Sequence, residues 1–202
     1  MIGDELELKA IVPDVEETRR SLRTAGAALD WQGLMMDRRY DRGGALATRD
    51  EVLRTRTYEP VGTPGAFKRT ELTWKGPTGR SAEGYKQRRE IELRLADGGA
   101  AAEFLVALGY EMAHAIDRRI EQYSLGGAMI RLEWYPRMDV LIEVEGTAEA
   151  IEQGIRATGI ARQAFVPDAL VEFVARYNAT HADRAAIALG ELGAGRPAWE
   201  FV

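Results

Sequence analysis

The chain has 202 residues, of which 46% are hydrophobic and 29% are charged, and its formal net charge is -5. This length and composition indicate one globular domain with a sizeable core. The negative charge argues against nucleic-acid binding through bulk positive potential, and the lack of cysteine excludes disulfides and thiolate chemistry.

The sequence also bears on location. No apolar run approaches the length of a membrane span, and the N-terminus shows no basic and apolar leader. We therefore expect a cytoplasmic protein with neither a membrane nor a nucleic acid as its partner. Since the sequence contains two histidines, a histidine-rich metal site is not expected.

Strands are predicted where charged and apolar residues alternate at period two, because successive strand side chains point to opposite faces. The predicted strands cover about residues 3–12, 35–41, 51–59, 67–76, 85–96, 113–124, 127–135 and 139–145. Short connections between several of them indicate antiparallel pairing. About eight such strands fit a closed barrel, which leaves no exposed edge.

Helices are predicted between and after these strands, and Pro13-Asp14 marks the first helix start. The predicted helices cover about residues 14–29, 100–108, 147–158 and 167–189. They are expected to pack outside the barrel, which gives an α+β fold. The last helix either plugs one mouth of the barrel or presents an ordinary buried face. We treat residues 1–190 as a single domain and residues 191–202 as a flexible tail.

One face of the predicted strands repeats charged pairs of like sign at spacing two. Such pairs destabilise a sheet unless something neutralises them. Glutamate pairs are natural oxygen ligands for a hard divalent cation, and arginine pairs match phosphate oxygens. In a closed barrel, the acidic and basic halves would face each other across a cavity suited to a polyanion with bound metal ions. The clearest pairs are Glu5 with Glu7, Glu143 with Glu145, and Arg54 with Arg56.

The predicted strand at 113–124 alternates less regularly than the others. Its apolar Ile116 and Ile120 imply that Asp117, Arg119 and Glu121 point to the opposite face. These three side chains are therefore assigned to the charged face.

Six short motifs follow one another along the chain between Glu5 and about Gly146. Their residues are Glu5, Glu7 and Lys9; Asp37, Tyr40 and Asp41; Leu53, Arg54 and Arg56; Leu72, Thr73, Lys75, Gly76 and Pro77; Arg88, Glu90 and Glu92; and Glu143 and Glu145. In this order they resemble the CYTH superfamily, the triphosphate tunnel metalloenzymes. That group includes thiamine triphosphatases, inorganic tripolyphosphatases and class IV adenylyl cyclases. The resemblance implies a closed antiparallel eight-stranded barrel around a hydrophilic tunnel.

Two of the departures from the family pattern fall on candidate site residues. Glu133 aligns where the family usually has aspartate, and the extra methylene changes its reach to a metal. In the sixth barrel strand the family has a pair of cations at spacing two. Here Asp117 takes the place of the first and Arg119 that of the second, with Arg118 as the alternative.

The resemblance implies roles for the charged residues. Carboxylates would hold one or two Mg²⁺ or Mn²⁺ ions, namely Glu5, Glu7, Glu133, Glu143 and Glu145. Cations would grip the triphosphate, namely Lys9, Arg54, Arg56, Lys75, Arg88 and Arg119. Glu5, Glu7 and Lys9 would form the catalytic set with Glu90 and Glu92, which would orient basic residues or a water. The alternative for all of these residues is a structural lattice of salt bridges.

Three functions are compatible with such a tunnel. The favoured one is a metal-dependent triphosphatase acting on tripolyphosphate, ATP or thiamine triphosphate. The second is a class IV-like adenylyl cyclase that converts ATP to cyclic AMP and pyrophosphate. Hydrolysis is favoured because the His-Phe pair of the cyclase branch is missing before Glu5. The third is a non-catalytic sensor of polyphosphate or nucleotides. The sequence does not decide between a monomer and a homodimer.

Overall fold

The computed structural model describes residues 2–61 and 68–201, with the side chains of residues 6–61 and 68–199. Within these ranges the chain forms nine β-strands and four α-helices. The strands are β1 (Ile2–Ile11), β2 (Ala28–Asp41), β3 (Val52–Pro60), β4 (Arg69–Lys75), β5 (Gly79–Arg80), β6 (Lys86–Leu95), β7 (Glu111–Leu125), β8 (Ala128–Trp134) and β9 (Leu141–Glu145). The helices are α1 (Val15–Thr24), α2 (Gly98–Ala107), α3 (Ala148–Thr158) and α4 (Leu170–Thr180).

Eight of the strands close into an antiparallel barrel. The order is β1-β9-β8-β7-β2-β3-β4-β6, and β6 pairs with β1 to complete the ring. The two-residue strand β5 adds to β6. The predicted α+β fold with a closed eight-stranded barrel is confirmed. Because every strand alternates between the two sides of the wall, the register decides which charges point inward.

The main apolar core lies outside the barrel wall, beneath α1 and α3. The outward side chains of β8, Ile130, Leu132 and Trp134, are buried there. Helix α3 approaches the wall closely at Gly154, where an added Cβ would lie 2.8 Å from Val144 Cγ1. Glycine is therefore required at this contact, and a larger side chain would push the helix away from the sheet.

Helix α1 begins where Pro13-Asp14 predicts, but it ends earlier than expected. Asp14 caps the helix by accepting a hydrogen bond from the Glu17 amide at 2.9 Å. The helix ends at Thr24, and Gly26 follows with a φ of +82°. The prediction of helix through residue 29 was wrong, since this left-handed glycine turns the chain into β2 at Ala28.

The last helix is also shorter than predicted. Helix α4 ends at Thr180, and residues 181–188 form an irregular segment with bends beside the barrel. The amide of Asp117 donates to the Ile187 carbonyl at 2.8 Å, and Arg137 and Ala186 form an isolated bridge. The prediction of helix over 181–189 was therefore wrong. The backbone of this segment bonds instead to the part of β7 that does not pair with β8.

Part of the segment expected to be a flexible tail contacts the barrel. The Ala198 amide donates to the Pro136 carbonyl at 2.9 Å, and Trp199 packs against the main apolar core. Among the described helices, none has both the length and the apolar character needed to cross a membrane.

Candidate functional site

A cavity inside the barrel gathers an unusual concentration of positive charge. Two glutamates and nine cations line it, although the whole chain carries a net charge of -5. The cations are Lys9, Arg39, Arg54, Arg56, Lys75, Lys86, Arg88, Arg118 and Arg131. They come from seven of the eight barrel strands, so the closure of the barrel creates the site. Such a charge excess favours a polyanionic ligand.

Asp37 is the counter-ion of the basic half of the cavity. Its carboxylate accepts hydrogen bonds from Arg56 Nε at 2.7 Å, from Arg56 Nη2 at 2.8 Å and from Arg118 Nη2 at 2.8 Å. Arg54 Nη1 lies 3.4 Å away. Burial would raise the pKa of Asp37, but Arg56, Arg54 and Arg118 outweigh it and hold this pKa well below its usual range. Asp37 therefore stays ionised and orients three arginines at once.

Arg118 joins this cluster to the wall formed by β8. Its Nη1 donates to Glu133 Oε1 at 3.0 Å, and the Tyr135 hydroxyl donates to Glu133 Oε2 at 2.7 Å. Glu133 is fully buried, whereas Arg118 and Tyr135 reach the cavity. Burial and Glu133 raise the pKa of Tyr135, so its hydroxyl keeps its proton at neutral pH. The structure thus places Glu133 behind the cavity lining.

On β7 the sequence-based assignment of faces was inverted. The register pairs Ile120 with Glu133, so Arg118 and Ile120 point inward. Arg119 points outward with Asp117, and its guanidinium lies 5.8 Å from the ring centroid of the outward Trp134. The expected inward role of Arg119 is therefore wrong, and the alternative, Arg118, lines the cavity. Arg118 lies between the apolar Ile116 and Ile120 on the inward face of β7. Alternation of charged and apolar residues therefore assigned the wrong face to the barrel interior.

Lys9 lies at the centre of the acidic half of the cavity. Its Nζ lies 2.9 Å from Glu7 Oε1 and also contacts the carboxylate of Glu143. Burial would lower the pKa of Lys9, but Glu143 and Glu7 raise it above its ordinary value. Arg131 Nη1 donates to Glu143 at 2.9 Å, and Lys86 contacts Glu7. Both glutamates are thus held by cations that also face the cavity.

The predicted metal ligands of β1 and β9 lie next to one another in the sheet. Glu7 is the register partner of Glu145, and Lys9 is the partner of Glu143. Glu5 occupies the next inward position of β1, although its side chain lies outside the described residues. Among the described side chains, no three acidic or histidine groups cluster closely enough to hold a metal. The chemistry of the side chains still fits a hard divalent ion, because both strands present carboxylates on the inward face and such an ion prefers oxygen ligands.

The remaining predicted residues lie on β4 and β6. Lys75 lines the cavity and forms an ion pair with Glu90, its register partner. Glu92 pairs in register with Thr73 on the same inward face. Arg88 lines the cavity, and its Nε donates to the Gly76 carbonyl at 2.7 Å. The structure thus brings Lys75, Arg88 and Glu90 to β4 and β6, which follow β3 of the Asp37 cluster in strand order.

Several buried donors inside the barrel lack a protein partner. Among the described residues, the Nε atoms of Arg54, Arg118 and Arg131 and the hydroxyl of Thr73 make no hydrogen bond. Each of these four side chains is more than nine-tenths buried. An unsatisfied buried donor costs free energy, so such a group in the wall of a cavity indicates a site for an acceptor ligand.

Sequence reasoning gave no role to several cavity residues. Lys86 and Arg131 each precede a predicted site residue at spacing two, on the same face of the strand. Arg39 follows Asp37 at the same spacing, so alternation could have identified it too. Tyr135 follows β8, and only the fold shows that it continues the inward face.

The two ends of the barrel interior are apolar. At one end, Met35, Tyr58 and Ile120 form a small buried cluster. At the other end, the first turn of α4 lines the cavity, and Phe173 packs on Ile116 in a second cluster. Helix α4 therefore covers one mouth and also has an ordinary buried face. The charged cavity lies between these two apolar layers.

No protein-family model matches the chain. No curated protein matches it either. Solved structures do match. The chain is similar to the PH1819 protein from Pyrococcus horikoshii OT3, with a TM-score of 0.69 and 24% identity over 85% of this chain and 98% of that one. It is similar to a candidate adenylate cyclase from Vibrio parahaemolyticus, with a TM-score of 0.70 and 16% identity over 85% and 97% of the two chains.

A third similar structure is HpAC1 from Hippeastrum, a candidate adenylyl cyclase described as having a dominant triphosphatase activity. The TM-score is 0.59 and the identity is 17%, over 89% of this chain and 96% of that one. At these identities the likeness concerns the fold. The closed barrel, its inward charges and these neighbours agree with the resemblance found in the sequence. The chain therefore shares the closed-barrel fold of these solved structures, as the resemblance found in the sequence implies.

Proposed function

We propose that this protein is a divalent-metal-dependent enzyme that binds a triphosphate in the barrel and hydrolyses tripolyphosphate or an organic triphosphate. The observation that carries the proposal is the cavity itself, where nine cations converge and buried guanidinium donors have no protein acceptor among the described residues. A triphosphate supplies several negative charges and many acceptor oxygens, so it meets both requirements.

The division of the cavity supports distinct tasks for its two halves. Arg54, Arg56 and Arg118 are held in place by Asp37, and their remaining donors can bind phosphate oxygens. Because these groups are preorganised, they can stabilise charge that develops on the phosphate chain during reaction. The residues Lys75 and Arg88 extend this cationic surface along β4 and β6.

The acidic half supports metal binding by Glu5, Glu7, Glu143 and Glu145. A divalent ion bound there would neutralise phosphate charge and polarise the phosphorus. Lys9, which contacts both Glu7 and Glu143, would remain positively charged beside the phosphate. Glu90, which pairs with Lys75, would orient that lysine. Glu92 would complete this inward face of β6.

The second candidate is a class IV-like adenylyl cyclase. It is favoured by similar structures described as candidate adenylate cyclases, among them the one from Vibrio parahaemolyticus. A cyclase would use the same cationic cavity to bind the phosphates of ATP. The two reactions differ in their products, so a product assay distinguishes them.

The test is a product assay on the purified protein with Mg²⁺ or Mn²⁺, separately on tripolyphosphate, ATP and thiamine triphosphate. We expect orthophosphate release that is lost in Glu7→Gln and retained in Glu103→Gln, a matched change at an exposed position of α2. Cyclic AMP and pyrophosphate from ATP would instead establish the cyclase. Binding without turnover of any of the three compounds would contradict the enzyme proposal and favour a sensor.

A further inference from the structure

Arg39 is the cavity residue whose surroundings differ most from those of the other arginines. It lies on the inward face of β2, two residues beyond Asp37, and is paired in register with Arg54 on β3 and with His114 on β7. Two strand residues span roughly 7 Å. Arg39 therefore adds a cation about that far beyond the Asp37 position, toward the end of the barrel covered by α4.

The direction toward α4 follows from the register. Asp37 is paired with Ile116, which packs beneath α4 against Phe173. Arg39 is the next inward residue of β2 after Asp37, and its partner His114 lies two residues before Ile116 on β7. The first turn of α4 lines the cavity as well, and its N-cap residue, Ala169, provides no side-chain hydrogen bond. Arg39 thus belongs to the mouth of the cavity that this helix covers.

The backbone beside Arg39 is irregular. The pairing of β2 with β7 shifts between Arg39 and Tyr40, so that Ala113 has no partner in the register. A bulge of this kind changes the direction of neighbouring side chains, and bulges are frequent beside functional sites. Arg39 is therefore the last inward residue of the regular β2–β7 ladder at this mouth.

Arg39 lacks the counter-ion that its neighbours have. Asp37 is already shared by Arg54, Arg56 and Arg118. Among the described residues, Arg39 forms no ion pair, and its buried Nε has no hydrogen-bond partner. Burial lowers the pKa of Arg39 to about 10; Asp37 opposes this shift, while Arg54 and Arg118 add to it. The charged side chain is therefore unfavourably placed until an anion arrives.

We propose that Arg39 binds a terminal anionic group of the substrate, so that the site discriminates in favour of a chain of three phosphates over a chain of two. This inference rests on the proposed function, and it assigns Arg39 as a specificity-determining residue. A short phosphate chain can be held by the Asp37-ordered arginines alone. A longer chain extends toward α4 and meets, beside Arg54, the one guanidinium of the cavity lining that the described residues leave without a counter-ion.

The experiment measures binding rather than turnover. Calorimetric titrations with tripolyphosphate and with pyrophosphate are run in metal-free buffer on the wild type, Arg39→Gln and Arg39→Lys. Arg38→Gln is the matched control, because Arg38 is the adjacent residue on the outer face and pairs with Asp117. Melting temperatures of the same proteins without ligand are recorded in parallel.

We expect Arg39→Gln to weaken tripolyphosphate binding about 10- to 100-fold, the range for a lost charge-assisted hydrogen bond, and pyrophosphate binding less than about threefold. Arg39→Lys should keep part of the discrimination, and Arg38→Gln should keep all of it. Without ligand, Arg39→Gln should melt at a higher temperature than the wild type, because a partly buried cation without a counter-ion is removed.

Other results would overturn the inference. Equal weakening for both anions would mean that Arg39 contributes only general potential. Unchanged tripolyphosphate affinity with a lowered melting temperature would make Arg39 a structural residue, and the proposed function would still stand. If the wild type bound neither anion in this buffer or after Mn²⁺ is added, the proposed function itself would fail, and this result is recognised before any variant is compared.

Discussion

Arg118 and Arg119 are consecutive residues of β7, yet they lie on opposite sides of the barrel wall. Arg118 contacts Asp37 and Glu133 inside, whereas Arg119 lies over Trp134 outside. The side chains of neighbouring strand residues always diverge in this way. The amino-acid sequence of β7 is compatible with either Arg118 or Arg119 facing the barrel interior. Only the pairing register with the neighbouring strands shows which one does.

The first prediction compares these two arginines. Arg118→Gln should lower kcat/KM on tripolyphosphate at least about 100-fold, because it removes a cavity donor and leaves Asp37 and Glu133 with less compensation. It should also lower the free energy of unfolding by roughly 3 kcal/mol or more, the cost of breaking a buried ion pair from one side. Arg119→Gln should keep kcat/KM within about threefold. Similar losses of activity in both variants would contradict the inward assignment of Arg118.

The second prediction concerns Glu133, which aligns with a metal ligand of the family but is bonded to Arg118 and Tyr135. We propose that it positions these two residues. Glu133→Gln should leave the Mn²⁺ concentration for half-maximal binding within about threefold, while lowering the free energy of unfolding by about 1–3 kcal/mol. Glu143→Gln should weaken Mn²⁺ binding about tenfold or more. Paramagnetic titration of free Mn²⁺ measures Mn²⁺ binding by both variants. Weaker Mn²⁺ binding in Glu133→Gln would show that this residue belongs to the metal site.

The third prediction concerns acid stability. The pKa of Asp37 in the folded protein is well below its usual range, since Arg56, Arg54 and Arg118 outweigh burial. In the unfolded chain it is about 3.9. Between these two values the unfolded state binds more protons, so the stabilisation by Asp37 is complete above about pH 4 and is lost as the pH falls through this window.

Urea midpoints from pH 7 to pH 2 provide the measurement. Asp37→Asn should have a lower midpoint than the wild type at pH 7 and a shallower decline below about pH 4. A decline as steep as that of the wild type would show that other carboxylates account for the acid sensitivity.

The fourth prediction concerns the C-terminal segment. Trp199 packs against the main apolar core, and the neighbouring Ala198 is bonded to Pro136. Trp199→Ala should therefore lower the free energy of unfolding by about 1–3 kcal/mol, less than for a fully buried tryptophan. Phe104→Ala on α2 is the control, because Phe104 is 65% exposed and should change stability by about 0.5 kcal/mol or less. Chemical denaturation compares the two, and equal stability of both variants would support a tail without structural contribution.

Most barrel strands could be predicted from the sequence because charge and hydrophobicity alternate cleanly in them. On β1, β3, β4, β6 and β9, the predicted charged face is the inward face. Alternation failed on β7, where Ile116 and Ile120 point inward beside Arg118. An apolar residue inside the barrel is stable there because both ends of the interior are closed by apolar clusters.

Helix ends were predicted less well than strand faces. Asp14 marks the start of α1 because its capping oxygen acts on an amide three residues away, which is a local interaction. The end of α4 depends on an irregular segment that bonds to Arg137 and to Asp117, far away in the chain. No pattern of residue types within residues 181–189 indicates these long-range backbone hydrogen bonds.

Strands with one charged face and one apolar face could be predicted from the amino-acid sequence alone, because side-chain alternation is a property of a single strand. Which charges meet depends on the folded barrel. The closure of β6 on β1, the sharing of Asp37 among three arginines and the isolation of Arg39 from a counter-ion depend on register between distant strands. Electrostatic energies depend on distance and burial, and both are set by the folded barrel.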